Sequence, residues 1–170
     1  MTFKLPCRRH IPGSASAPDR APLDAVKALT PSRVNGDTWR EAPAYAYGLH
    51  LYARGFFWEA HEVWEAVWLA TAPNSQERHL LAGLIQLANA SLKLEMAQPK
   101  AALRLLRASQ DHLTECPSSP LLGLDPGALA RDVGAFAARV AVLDDTPSRA
   151  DLIALRPKPA LTAADSTTPD

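Results

Sequence analysis

GFFWEAHEVWEAVW, running from Gly55 to Trp68, is the stretch that decides the fold. Its apolar residues recur at three and four, with no alternation of period two, so it reads as an amphipathic helix. At about 100° of rotation per residue, Phe57, His61, Trp64, Glu65 and Trp68 share one arc. Glu59, Glu62 and Ala66 fall on the far side. The aromatic arc is the one expected to be buried, and it carries His61 and Glu65 one turn apart.

The same spacing extends outward on both sides. A helix is predicted over roughly 39–53, with Asp37 as its N-cap. Gly55 breaks the chain, and Pro73 ends the helix that starts near Phe56. The next helix begins after Asn74, with Glu77 three residues on in a capping-box pattern, and runs to about Met96. Pro99 suits the first position of a helix reaching about Thr114. Asp125–Pro126 opens a last one to about Leu143. The fold class is therefore all-α: a compact bundle of about five antiparallel helices joined by short connections. Residues 1–36 form a Pro-rich, partly ordered lead-in, 37–145 the helical domain, and 146–170 a tail expected to be disordered, since it has few large apolar groups.

Composition excludes several classes. The chain has 170 residues, enough for one domain with its own core. Lys plus Arg and Asp plus Glu are 18 each, which leaves no basic footprint for a nucleic acid. No apolar run approaches the length of a membrane span, and the first ten residues lack a signal-peptide core. Cytoplasm is the expected location. Cys7 and Cys116 fit no zinc or redox spacing and read as free thiols in a reducing compartment.

Chemistry, if present, belongs to the helix quoted above. A buried carboxylate needs a proton, a cation or several donors. A divalent metal ion would satisfy His61 and Glu65 together, with further ligands drawn from the following helix. There His79, Gln86, Asn89 and Lys93 form a polar stripe. Gln86 could hydrogen-bond to either group, and Lys93 could neutralise Glu65 without a metal. Glu62 is a poor general base, because it projects from the opposite face. Position 65 is Glu rather than His, so the zinc-protease pattern HExxH fails. Without an ion, His61, Glu65 and Gln86 are expected to form a buried polar network in a helical interaction module. His50, His79 and His112 read as lone surface or satisfied histidines, and the tryptophans as core and rim. A homodimer or another protein partner is also expected, because tryptophans on a small bundle often mark interfaces.

Two resemblances follow from these residues. Tyr47, Gly48, Leu51, Ala60 and Trp64 line up with Ala88, Asn89, Leu92, Ala101 and Leu105, each 41 residues later, a pattern that resembles tetratricopeptide hairpins at a longer spacing. The runs EAHEVWEAVW, LLAGLIQLANASLK and PKAALRLL, over roughly residues 40–115, resemble the family called domain of unknown function 309. Its His-x3-Glu-x2-Trp/Tyr hallmark corresponds to His61, Glu65 and Trp68. Its lead-in corresponds to Trp58, Glu59, Ala60, His61 and Glu62, and its GLIQ segment to Gly83, Leu84, Ile85 and Gln86. An N-terminal segment such as Arg9–His10–Ile11–Pro12–Gly13 fits more loosely. The resemblance implies a compact helical domain and a metal site at His61 and Glu65. Asn89 and Ser91 depart from the family, standing where alanine is more usual.

Overall fold

The computed structural model describes residues 3–117, 119–142 and 149–162. Within them the order is α1 (Ala21–Lys27), a 3-10 turn (Trp39–Glu41), α2 (Pro43–Ala53), α3 (Phe57–Leu69), α4 (Gln76–Glu95), α5 (Pro99–Thr114), α6 (Pro126–Ala141) and α7 (Arg149–Ala154). The described residues form no sheet, only the isolated bridges Val34–Thr71 and Leu121–Leu124. The five long helices pack each against its chain neighbour, from α2 to α6, while α1 lies on α3 and α2, and α7 on α4. None of the described helices is long and apolar enough to cross a membrane.

Prolines and caps place most of the ends. Pro43, Pro99 and Pro126 each occupy the start of a helix, where the missing N–H costs nothing. Pro43 explains why the first predicted helix splits. Residues 39–41 make one tight turn, and α2 begins afresh, so Asp37 is not an N-cap. Asn35 holds that corner instead, its Oδ1 accepting from the N–H groups of Asp37 and Thr38. The N-cap of α4 is Ser75, whose hydroxyl accepts from Arg78 N–H at 3.1 Å. Asn74 sits in the left-handed region, at φ 58°, and cannot serve as the cap. Glu77 turns away to accept from Gly36 N–H at 3.0 Å. Asp125 caps α6 as expected.

Packing turns on a few small residues. Trp64 is fully buried, and its indole lies so close to Gly48 that a Cβ there would overlap the ring. The indole N–H donates to Tyr45 C=O at 3.1 Å. In the next hairpin Gly83 meets Leu113 in the same way, and Ser109 donates to Gly83 C=O at 2.7 Å. The close approach in α4 is thus at Gly83 rather than at Asn89, the position that the 41-residue alignment pairs with Gly48. Ser91 is buried and holds Tyr52: its hydroxyl donates to Leu87 C=O and lies 3.1 Å from the Tyr52 hydroxyl.

The segment read as a disordered tail carries α7 over part of its length. Leu152 is buried. Arg156 donates to the carbonyls of Tyr52 and Ala53 at 3.0 and 2.8 Å, so it satisfies the orphan end of α2. Its guanidinium also stands over the rings of Tyr52 and Phe57. The rest of the expected tail, 146–148 and 163–170, lies outside the described residues. Ending the chain after residue 148 is expected to lower the melting temperature by roughly 4–8 °C. That follows from about 2 kcal/mol for burying one leucine at the slope expected for this size. An unchanged melt would show that α7 contributes nothing.

Candidate functional site

Burial of α3 is rotated by roughly a quarter turn from the aromatic arc. Its buried residues are Phe57, Glu59, Ala60, Val63, Trp64 and Val67. Small and β-branched side chains let α2 and α4 approach closely, and so they, not the tryptophans, set the face. Trp58 and Trp68 become half-buried rims, and Glu65 is exposed. The buried carboxylate of this helix is Glu59, at 1% exposure.

Glu59 is held by the lead-in. Its Oε1 accepts from His10 N–H at 2.6 Å, while its Oε2 is buried without a partner. His10 sets its ring edge-on to Trp58. Arg9 pairs with Glu95 at 2.7 Å, and Tyr47 donates to Lys4 C=O at 2.7 Å. Glu62, half-buried, is engaged by Lys27 at 3.4 Å and Arg20 at 3.5 Å. Residues 3–27 therefore form a strap across α2, α3 and the end of α4. Desolvation pushes the Glu59 carboxyl above the ordinary glutamate range, opposed by the His10 N–H and by Arg9.

The opposite flank of α3 is open. A cavity of about 350 Å³ lies between α3, α4 and α5, lined by Glu65, Trp68, Arg78, His79, Gln86 and His112 among others. Arg78 donates from Nη1 to Trp68 C=O at 3.2 Å and Thr71 C=O at 3.1 Å, and its guanidinium lies 3.7 Å from the Trp68 ring centre. His79 and His112 stand with ring centres 5.7 Å apart. His79 Nδ1 is buried with no partner. Burial, then the neighbouring His79, lowers the His112 pKa below the ordinary histidine value, which favours neutral imidazole. The cavity is an aromatic and aliphatic slot with hydrogen-bonding groups on three sides, as small-molecule sites are.

The predicted residues divide between places. Glu65, Trp68 and Gln86 line this one cavity. His61 and Lys93 are not among its lining residues; both are half-buried, and His61 Nδ1 is buried without a partner. Among the described residues no hydrogen bond joins His61, Glu65 and Gln86, so the expected polar network does not form. None of Lys93's contacts is an ion pair with Glu65. No three His, Cys, Asp or Glu side chains among the described residues gather closely enough to hold an ion. Sequence reasoning passed over Arg78 and set His112 aside as a lone histidine. The signal was there in part: His79 and Gln86 share a stripe of α4, and His112 follows on the helix that folds back against it. Cys7 and Cys116 are both free.

Residues 45–105 match the model of a family described as Domain of unknown function (DUF309). Over that segment the chain is similar to the DUF309 family. That segment takes in α2, α3, α4 and the first part of α5, so it holds Glu65, Trp68, His79 and Gln86 but not His112. The strap residues Arg9 and His10 also lie outside the DUF309 match. No curated protein matches the chain.

The raised Glu59 carboxyl carries a pH signature. Between the ordinary glutamate pKa of 4.5 and the raised folded value, the native state binds more protons than the unfolded one. Stability contributed by this group therefore falls as pH rises through that window. Glu59→Gln is expected to remove that fall, seen as a flatter dependence of melting temperature on pH than in wild type. Parallel profiles for the two proteins would show that Glu59 titrates as it does when unfolded.

Proposed function

We propose that this protein binds a small molecule in the cavity between α3, α4 and α5. The supporting observation is the convergence of Trp68, His79, Gln86, His112 and the pinned Arg78 on one space of about 350 Å³. An aromatic wall supplies apolar area, and the polar groups orient what enters. His79 Nδ1, buried and unpartnered, is the kind of group whose desolvation a ligand can relieve.

The test uses three small probes that share a ring and differ in charge: benzoate, benzyl alcohol and benzylammonium. At millimolar concentration at least one is expected to shift the imidazole proton resonances of both His79 and His112, assigned from His79→Gln and His112→Gln. If none of the three moves them, the cavity is not a binding site.

A divalent metal ion is the second reading, and it has its own observation. His61 Nδ1 is buried with no partner, one helical turn from Glu65. An ion held there would have His61 and Glu65 as its protein ligands, since no third His, Cys, Asp or Glu gathers with them among the described residues. On this reading zinc binds at micromolar levels by calorimetry, and His61→Ala abolishes the heat. Absence of heat with the wild-type protein removes the metal and leaves the cavity untouched.

A further inference from the structure

The charges around the cavity are unequal in what they can do. Arg78 is half-buried and rigid: Nη1 spends its hydrogens on the carbonyls of Trp68 and Thr71, and the plane of the group rests on the Trp68 indole. The Nε and Nη2 hydrogens make no hydrogen bond within the described chain. Those two positions form the straight edge of the guanidinium that meets a carboxylate with two parallel bonds. A group already fixed by packing loses little freedom when it binds.

A second observation points the same way. Asn74, Arg78 and His79, all lining the cavity, belong to the entry and first turn of α4, which is 20 residues long. The dipole of a helix start favours negative charge. His79 and His112 add imidazole donors. The one acidic lining residue is Glu65, which is exposed, and water and salt screen its field.

We propose that the ligand is a small organic carboxylate with a flat apolar body. Its carboxylate is held by the free edge of Arg78 at the start of α4, and its body lies beside Trp68 and Ile85. This rests on the cavity being a binding site, and the two claims fail separately.

Calorimetry with the same three probes separates them. Benzoate is expected to bind about tenfold more tightly than benzyl alcohol, with benzylammonium weakest. Arg78→Lys keeps the charge but loses the fork, so it weakens benzoate about tenfold while leaving benzyl alcohol within about twofold. Glu65→Gln, at an exposed position of the cavity rim, tightens benzoate and not benzyl alcohol. It keeps the test decisive should Arg78→Lys unfold, since Arg78 also ties down the end of α3. Benzyl alcohol or benzylammonium binding as tightly as benzoate overturns the carboxylate and leaves the binding site standing. No binding of any probe overturns both.

Discussion

Everything in this bundle is referred to the contact between Trp64 and Gly48. The largest buried side chain of α3 fits only because the facing position of α2 has none, and the indole N–H finds Tyr45 C=O at the bottom of that notch. This fixes the distance between the two helices, and Ala60, Val63 and Val67 on the same face set the rotation of α3 about its axis. Once that rotation is set, Glu59 is turned inward under the lead-in and Glu65 outward beside Trp68. The two flanks of one helix thus acquire opposite characters, one closed by a strap and one open as a cavity.

The closed flank concentrates charge without leaving it free. Glu59, Glu62 and Glu95 each meet a group from residues 9–27: His10 N–H, then Lys27 and Arg20, then Arg9. The partly exposed ion pairs are worth little singly. The bond to Glu59 differs, because a buried carboxylate without its donor costs far more than a surface pair gains. The lead-in is therefore fastened at one buried point and aligned by several weak ones.

Much of this was legible in the sequence, for identifiable reasons. Helix type and order followed from apolar spacing, and the starts at Pro99 and Asp125–Pro126 followed from backbone chemistry that needs no tertiary context. Rotation of α3 did not follow, because weight was given to the aromatics, whereas close packing is decided by Ala60, Val63 and Val67. Ser75 rather than Asn74 caps α4, since two adjacent residues both had suitable side chains and only the backbone angle chooses between them. Of the site, Glu65, Trp68 and Gln86 were named in advance. Arg78 was not, because its role depends on reaching back to the end of the preceding helix. α7 was missed because its six residues are too few for a periodic signal, and what holds it, Leu152 against the core and Arg156 on α2, is not local.

Arg156 completes a corner of the molecule across 104 residues of chain. As the polypeptide leaves the ribosome, α2 and α3 emerge first, with the carbonyls of Tyr52 and Ala53 and the flank of Phe57 still bare. Domains generally fold as units, and this corner stays open to water until the guanidinium arrives. Until then the last carbonyls of α2 lack the donor that Arg156 supplies, and that helix end is free to fray.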